Sequence, residues 1–207
     1  MKIAILGTGR VGGTLGRKWV QAGHAVVFGT RDAESEKVRA LVTEVGHGVD
    51  AAGHREAVAT ADVILLAVPW AEGSALVQSL GDLTGKVLID ATNPVAPNFQ
   101  LAVGGTTSAA EEIAKVTAAR VVKAFNSTGA AIMANPEFPG GRAAMLIAGD
   151  DEDAKALVLQ LAADAGFQPE DAGPLRVARF LEPMALLWIG MASRHGWDKL
   201  AFTLLHR

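Results

Sequence analysis

The sequence predicts an α/β fold: a doubly wound, mostly parallel sheet with a small helical extension at its C-terminal end. Short apolar runs of strand length alternate with longer segments of helical pattern over most of the chain, which is typical of such sheets. A glycine-rich turn follows the first apolar run and opens a helix. From Leu175 onward the pattern is helical and mostly apolar instead. We therefore expect one domain over residues 1–174 and an extension over residues 175–207.

The first strand and the turn after it are the most informative stretch. Lys2 to Leu6 is a short apolar run, typical of a strand buried on both faces. In the G-x-G-x-x-G turn, the first glycine allows a tight bend, the second lets a pyrophosphate approach the main chain, and the third lets the helix pack closely on the strand. A second apolar strand from Ala25 to Arg31 completes the fingerprint of a Rossmann-type dinucleotide-binding fold; an ordinary tight turn without ligand is the alternative. The residues expected to hold the diphosphate at the helix N-terminus are Gly7, Thr8, Gly9, Arg10, Val11 and Gly12.

The end of the second strand indicates which dinucleotide binds. NAD-binding chains usually carry an acidic residue there to hold the ribose 2′-hydroxyl, whereas an NADP site offers groups that accept a 2′-phosphate. Here the strand ends in Thr30 and Arg31, and a guanidinium binds phosphate with two charge-assisted hydrogen bonds. Asp32 lies past the expected position, and we interpret it as the N-cap of the next helix. The sequence therefore predicts NADP(H), with Lys37 either adding positive charge or remaining a solvated lysine.

The remaining elements continue the alternation as far as residue 171. Ser108 is a typical N-cap, and acidic residues open the helix that follows Asp151, as the helix dipole favours. Further helices are predicted over residues 33–45, 54–60, 71–80, 108–117 and 151–165. Further strands are predicted within residues 47–52 and over residues 63–68, 87–91, 121–125, 143–148 and 167–171. This order implies parallel strands with helices on both faces of the sheet.

Open parallel sheets bind their ligands at the carboxyl ends of the strands. Pro69 and Pro94 stop their strands and keep the following chain extended, which predicts a wall for the cofactor. Trp70 is either a core aromatic or a ring that packs on a cofactor. Asn93 and Asn126 either orient the nicotinamide carboxamide or a second ligand, or serve only as turn residues. The cofactor-binding residues predicted at these strand ends are Ala67, Val68, Pro69, Trp70, Asn93, Pro94 and Asn126.

The C-terminal helical segment, from Leu175 to Arg194, is apolar on most of its circumference and should therefore be buried. Its uncharged part, Pro183 to Ser193, is too short for a membrane span, which needs about 20 residues. Pro183 should start or kink a helix. The burial partner is either the sheet of the same chain or a second copy. We favour a homodimer contact, because the earlier helices already cover both faces of the sheet.

Composition excludes several classes of function. The net charge of −3 gives no reason to expect nucleic-acid or membrane binding. The chain contains no cysteine and its five histidines are scattered, so we predict no metal site. Met1 directly precedes the first strand and leaves no room for a signal peptide, so we expect a cytoplasmic protein.

The chain also lacks an evident proton relay. It contains no tyrosine, and therefore no Tyr-x-x-x-Lys pair. Lys123 lies inside an apolar strand, and we expect its amine to point outward at the sheet edge. We therefore predict no catalytic side chain. A nicotinamide site without a relay suits hydride transfer between two cofactors, in which the protein aligns the reacting rings.

Six motifs together resemble a known family, the NADPH-dependent coenzyme F420 reductases. The resemblance covers nearly the whole chain and implies a Rossmann domain with a small C-terminal extension, NADP(H) on the glycine turn and on Thr30-Arg31, and a homodimer. It also implies a deazaflavin stacked on the nicotinamide near Pro69-Trp70, residues 126–129 and the C-terminal segment. Archaeal members differ, with a histidine-containing segment in place of residues 125–128. The motifs are G-T-G-R-V-G at 7–12, G-T-R at 29–31, V-P-W at 68–70, V-K-A-F-N at 122–126, I-A-G-D-D at 147–151 and D-A-G-P-L at 171–175.

A second resemblance leaves the hydride acceptor open. The K-A-F-N motif, with Asn93-Pro94, is also similar to the cytosolic domain of the STEAP-type ferric reductases, which pass hydride from NADPH to a flavin. The main hypothesis is thus an oxidoreductase that moves hydride between NADP(H) and coenzyme F420, FMN or FAD. One alternative is direct reduction of a small carbonyl or imine, but such families add a large helical domain. Another is a non-catalytic NADP-binding module.

Overall fold

The computed structural model describes all residues from 1 to 207 and has a mixed eight-stranded sheet at its centre. The strands are β1 (Lys2–Leu6), β2 (Ala25–Thr30), β3 (Val49–Gly53), β4 (Val63–Leu66), β5 (Val87–Asp90), β6 (Arg120–Lys123), β7 (Ala144–Gly149) and β8 (Gln168–Gly173). Their order across the sheet is 3-2-1-4-5-6-7-8. All neighbours are parallel except β6 and β7. The first six strands thus have the Rossmann order, as the sequence predicts.

Eight helices connect or follow these strands. They are α1 (Arg10–Gln21), α2 (Glu36–Val45), α3 (His54–Ala59), α4 (Trp70–Ser79), α5 (Ala109–Ala114), α6 (Ala130–Ala134), α7 (Glu152–Asp164) and α8 (Ala178–His195). Two short antiparallel ribbons, which the sequence did not predict, pair Val95–Ala96 with Gln100–Leu101 and Glu137–Phe138 with Gly141–Arg142. The helix predicted from residue 33 begins only at Glu36. The interpretation of Asp32 as its N-cap is wrong, because Ser35 holds that position and the Asp32 carboxylate instead accepts a hydrogen bond from the Glu34 N–H, at 3.1 Å.

Both faces of the sheet are buried, as a doubly wound fold requires. Along β1, Ile3 and Ile5 belong to one core cluster, whereas Ala4 and Leu6 belong to the other. This alternation follows from the period of two in a strand. On the first face the rings of Trp19 and Phe125 meet edge to face, with centroids 5.7 Å apart.

The C-terminal helix α8 packs against its own chain on one side only. Leu181, Ala185 and Trp188 are buried, and the Trp188 indole donates a hydrogen bond to the Leu200 carbonyl at 2.8 Å. On the other side the side chains of Phe180 and Leu187 are 72% and 56% exposed. A single chain therefore buries only one side of α8, and whether a second copy covers the other side, as the sequence predicts, is a separate question. Pro183 lies inside the helix rather than at its start. None of the helices combines the length and the apolar character that crossing a membrane requires.

Candidate functional site

The three glycines of the turn after β1 have different structural roles. Gly7 has a φ of +124°, and a Cβ built on it would lie 2.3 Å from the Ala67 carbonyl oxygen. A Cβ on Gly12 would lie 2.0 Å from the Gly7 carbonyl oxygen. Gly9, in contrast, has a φ of −83° and a Cβ there would meet nothing within 4 Å. The fold itself therefore requires glycine at positions 7 and 12, whereas at position 9 glycine leaves open space above the start of α1.

This open space belongs to a cavity at the ends of β1, β2 and β4, which we call the nucleotide cavity. Its volume is about 470 Å³, within the usual range of small-molecule sites. The predicted residues that line it are Gly7, Thr8, Gly9, Thr30, Arg31, Ala67, Val68 and Pro69. The lining residues that are not among the predicted site residues are Gly29, which belongs to the G-T-R motif, and His54, Glu72 and Leu76. The structure thus brings the glycine turn, the end of β2 and the segment after β4 together around one space.

The end of β2 presents groups that suit a phosphate. Thr30 and Arg31 both line the cavity, and the Arg31 side chain is exposed at its mouth. The nearby carboxylate of Asp32 is engaged in its local turn with Glu34 and does not line the cavity. Burial, and next the positive charge of Arg31, hold the pKa of His54 below its ordinary value. The polar groups available at this wall are therefore a hydroxyl, a guanidinium and a neutral imidazole.

The other predicted residues near the glycine turn do not line the nucleotide cavity. Arg10 and Lys37 line a second cavity of about 490 Å³ that shares Thr8 and Gly9 with the nucleotide cavity. Arg17 lines this second cavity as well, where its guanidinium pairs with the Glu44 carboxylate. Of the remaining turn residues, Val11 and Gly12 are in the first turn of α1 and line neither cavity. Positive charge is therefore present on both sides of Thr8 and Gly9.

Trp70 is separated from the nucleotide cavity although Pro69, its neighbour in sequence, lines it. Trp70 is the first residue of α4 and lines a third cavity, of about 620 Å³, together with the loop at residues 102–107 and with Glu112 and Lys115 of the α5 region. The tryptophan ring is also in contact with the core cluster on that face of the sheet. Both interpretations of Trp70, as a core aromatic and as part of a ligand wall, remain compatible with this position.

Asn93 and Asn126 bind each other at the ends of β5 and β6, a region we call the β5–β6 end (residues 90–94 and 123–128). The Asn93 side-chain amide donates to the Asn126 carbonyl at 2.8 Å, and the Asn126 amide donates to the Asn93 side-chain oxygen at 3.0 Å. The Asn126 amide also donates to the carbonyl of Leu181 in α8, at 3.0 Å. Pro94 is buried beside this pair. None of these three predicted residues lines the nucleotide cavity.

A buried ionic cluster lies directly beneath the asparagine pair. The Lys123 ammonium contacts the carboxylates of Asp90 and Glu182, each at 2.9 Å, and donates to the Thr92 carbonyl at 2.6 Å. Lys123 is fully buried, so the prediction of an amine at the sheet edge is wrong: its charge is neutralised inside the fold. Glu182 also accepts hydrogen bonds from the first N–H groups of α5. Burial raises the pKa of Glu182 above its ordinary value, and the charge of Lys123 opposes this rise.

Several buried polar atoms at the β5–β6 end have no partner within the chain. They are Thr92 Oγ1, Asn126 Oδ1 and Thr128 Oγ1. Buried polar atoms are nearly always hydrogen-bonded in folded proteins, so such a group calls for an explanation. Phe125, just before Asn126, has a φ of +58°, a conformation that bulky residues rarely adopt. Unpaired polar atoms and local strain of this kind are common where a protein binds a ligand.

Among the residues that sequence reasoning missed, Glu182 left a signal in the sequence and His54 did not. Glu182 is the only charged residue between Phe180 and Ser193, and a lone carboxylate in so apolar a helix indicates a buried partner. His54 carries no comparable pattern, because its position depends on the pairing of β3 with β2.

Sequence comparison shows that this chain is similar to reductases of two kinds. A model of the family described as "NADP oxidoreductase coenzyme F420-dependent" matches residues 2–94. The F420-dependent NADP reductase of Methanothermobacter thermautotrophicus is 33% identical over 215 residues, covering 94% of this chain and 90% of the relative. The metalloreductase STEAP3 of Rattus norvegicus is 34% identical over 187 residues, but this match spans only 36% of that protein.

The solved structures that resemble this chain include a reductase of the first kind. A proposed F420-dependent NADP reductase from Arthrobacter sp. FB24 superposes with a TM-score of 0.90 at 31% identity, and the match covers 100% of both chains. A reductive aminase of Aspergillus terreus has a TM-score of 0.68 at 22% identity, with 93% of this chain and 61% of that chain covered. The second likeness shows a shared fold only, and the larger protein contains a part that has no counterpart here.

Proposed function

The chain belongs to the coenzyme F420-dependent NADP oxidoreductase family, and on this premise we propose that it transfers a hydride between NADP(H) and coenzyme F420. The relatives of similar length that support this proposal are named F420-dependent NADP reductases. The structural observation that supports this proposal most directly is the open space at Gly9. This space belongs to the cavity that Arg31 also lines. A turn that leaves room for a diphosphate and a guanidinium that can bind a 2′-phosphate are the two features an NADP site needs.

The residues of the nucleotide cavity fit NADP(H) in detail. The N–H groups at the start of α1 and the backbone of Thr8 and Gly9 would hold the diphosphate. Thr30 and Arg31 would bind the 2′-phosphate, and Arg10 and Lys37 would add positive charge from the adjoining cavity. The segment from Ala67 to Pro69 would form the wall that leads toward the β5–β6 end.

The remaining residues of the proposed site align the reactants. When bound, the nicotinamide and the deazaflavin supply the redox chemistry, and no side chain has to form a bond. Asn93 and Asn126 hold each other in fixed positions, and Asn126 Oδ1 is free to accept a hydrogen bond from a ligand. Val68 and Pro69 line the nucleotide cavity and would form its apolar boundary toward the β5–β6 end. Fixed geometry of this kind favours hydride transfer by holding the reacting carbons close together.

A flavin is the second candidate acceptor, because the STEAP relatives match nearly as much of this chain. The experiment that separates the candidates follows the absorbance of NADPH during oxidation by the purified protein, with coenzyme F420, FMN, FAD or riboflavin as acceptor. NADH replaces NADPH in a parallel series. We expect fast turnover with coenzyme F420, little with the flavins, and a clear preference for NADPH.

The other outcomes lead to different assignments. Faster turnover with FMN or FAD would make the protein a flavin reductase. Direct oxidation of NADPH by a small imine or carbonyl would favour the alternative stated from the sequence, an enzyme that reduces such a substrate without a flavin or deazaflavin. Tight NADPH binding without turnover on any acceptor would leave a non-catalytic binding module.

The proposal extends to a homodimer formed through the exposed apolar side of α8. Phe180 and Leu187 are two helical turns apart, so their exposed side chains lie on one side of the helix. Phe99 is also exposed and lies against Gly190 of the same helix. Light scattering on the purified protein should give a dimer mass, and Phe180→Glu with Leu187→Glu should give a monomer, whereas Gln21→Glu should not. A monomeric parent chain would refute this part.

Two further assignments complete the proposal. We assign residues 1–174 to the NADP-binding domain and residues 175–207 to the C-terminal extension, because α8 contributes both to the core and to the β5–β6 end. We assign the protein to the cytoplasm, where both diffusible cofactors would be available. Fractionation of the native host with an antibody against this chain would test the location.

A further inference from the structure

His54 lies on the same wall of the nucleotide cavity as Thr30 and Arg31. It is the first residue of α3 and directly follows β3, whose last residue, Gly53, is in register with Thr30 of β2. A Cβ built on Gly29 would lie 3.5 Å from the His54 Cα, which shows how closely the start of α3 approaches the end of β2. The imidazole is partly buried and lines the cavity. The register of β2 and β3 therefore fixes the backbone of His54 beside the end of β2, and His54 lines the same cavity as Arg31.

The imidazole of His54 differs from the other partly buried or paired histidines. His24 bonds the Asp164 carboxylate and His206 bonds the Glu170 carboxylate, both at 2.8 Å. The ring of His54 has no such partner and faces the cavity instead. Its pKa is lowered first by burial and then by the charge of Arg31, so the ring is neutral in the free protein at neutral pH. A neutral ring beside a guanidinium is a poor phosphate ligand until the charge balance changes.

The protonation of His54 depends on the charged groups around its ring. Across the cavity the only carboxylate is that of Glu72, on α4, and it is exposed. On α3 itself, the Arg55 guanidinium donates to the Ser79 carbonyl at 2.6 Å, and Glu56 is exposed to solvent. A phosphate monoester adds about −1.5 to −2 charges near pH 7. Its arrival beside Arg31 would offset the guanidinium charge and favour the protonated imidazole.

We propose that His54 is a third recognition group for the adenosine 2′-phosphate of NADP(H), and that the imidazole takes up a proton when this phosphate binds beside Arg31. The protonated ring then donates a charge-assisted hydrogen bond to the phosphate, in addition to the bonds from Thr30 and Arg31. NAD(H) lacks the phosphate and leaves the ring neutral. His54 thus increases the preference for NADP(H), and does so more strongly as the pH falls. This inference rests on the proposed NADP(H) site.

The direct test is the protonation state of His54, followed by NMR of its ring protons as the pH is varied. The spectra are recorded for the free protein, with NADP⁺ and with NAD⁺, and the resonance is assigned by its loss in His54→Gln. We expect the titration midpoint of His54 to rise when NADP⁺ binds and to stay unchanged with NAD⁺. The other four histidines serve as internal controls. An unchanged His54 midpoint with saturating NADP⁺ would overturn the inference.

A second test uses adenosine 2′,5′-bisphosphate, which carries the 2′-phosphate but no nicotinamide, with 5′-AMP as its matched control. Calorimetry between about pH 6 and pH 8 brackets the usual range of histidine titration. For the parent chain, each unit by which binding raises the pKa of His54 corresponds to up to about tenfold tighter binding, reached in full only at a pH below the pKa of His54 in the free protein. In His54→Gln this pH-dependent gain should disappear, whereas His47→Gln, outside the cavity, should keep it. Protonation of the phosphate itself affects all variants alike and cancels in the comparison.

The outcomes separate this inference from the proposed function. If the bisphosphate and NADP⁺ bind selectively, but His54→Gln keeps the pH dependence of the parent chain, the role of His54 is refuted and the NADP(H) site stands. If the parent chain binds neither compound, both the proposed site and this inference fail. Thermal unfolding of His54→Gln confirms that the variant is folded. Loss of the pH dependence in a folded variant supports the inference.

Discussion

The two halves of the crevice at the carboxyl edge of the sheet are built in different ways. The nucleotide cavity is open, about 470 Å³ in volume, and its shape depends mainly on backbone positions that only glycine can occupy, such as Gly7 and Gly12. The β5–β6 end is closed, and side chains that bind one another fill it. The first half is lined by short segments that all lie within residues 7–76. The second depends on α8, which contributes Glu182 and the Leu181 carbonyl.

This difference suggests a division of work between the two halves. A cavity shaped by backbone is present before the ligand arrives and needs little rearrangement to hold a diphosphate. A closed polar end can hold its side chains rigidly, but its unpaired atoms, such as Asn126 Oδ1, require a ligand or a small movement to be satisfied. The helix α8 connects the outer apolar surface, where we propose the dimer contact, with the β5–β6 end, which it contacts through Glu182 and the Leu181 carbonyl.

The largest effect is expected from breaking the ionic cluster. Lys123→Met would leave the buried carboxylates of Asp90 and Glu182 without their cation, and loss of one member of a buried ion pair costs about 3–5 kcal/mol. The free energy of unfolding in urea measures this loss. The matched control is Arg39→Met, which removes an exposed ion pair with Glu34 and should cost little. Similar losses for both variants would show that the β5–β6 end does not depend on the cluster.

A smaller effect on stability, but a sharp one on binding, is expected from the glycines of the turn. Gly12→Ala forces a methyl group against the Gly7 carbonyl and should lower the free energy of unfolding by about 1–3 kcal/mol. Gly9→Ala meets no protein atom and should leave stability unchanged. Its methyl group would occupy the space proposed for the diphosphate, so NADPH affinity should fall by at least about tenfold. Unchanged NADPH affinity in Gly9→Ala would remove the diphosphate from this turn.

The smallest effect concerns the attachment of α8 to α5. The Arg179 guanidinium binds the Glu111 carboxylate through two hydrogen bonds, of 2.8 and 2.6 Å, and these bonds hold the pKa of Glu111 below its ordinary value. Because the folded state lowers this pKa, the stabilisation is present above the ordinary glutamate pKa and is lost as the pH falls through the lowered value. Glu111→Gln should therefore reduce stability modestly at neutral pH and not at strongly acidic pH.

Urea unfolding at several pH values provides the measurement for Glu111→Gln, with the exposed Glu137→Gln as its control. A difference from the parent chain that stays constant down to strongly acidic pH would mean that the charge of Glu111 is not what holds α8.

Much of the first half could be predicted from the sequence because its information is local. The G-x-G-x-x-G spacing, the strand at Lys2 to Leu6 and the position of Arg31 after β2 all depend on a few neighbouring residues, and the structure brings them together as expected. The contacts of the second half, the β5–β6 end, could not be predicted from neighbouring residues. Lys123 was assigned to the sheet edge because its partners, Asp90 and Glu182, are distant in sequence and become neighbours only through the fold. Pro69 and Trp70 are adjacent in sequence, yet they line different cavities.

The most direct test of whether the nucleotide cavity selects NADP(H) through the 2′-phosphate is calorimetric titration of NADPH and NADH into the parent chain and Arg31→Ala. A hydrogen bond to a charged group contributes about 1.5–3 kcal/mol, so Arg31→Ala should weaken NADPH binding by about 10-fold to 150-fold. NADH binding should change little, because NADH has no 2′-phosphate. Equal losses for both nucleotides, or a parent chain that binds NADH as tightly as NADPH, would show that the cavity does not select NADP(H) through the 2′-phosphate.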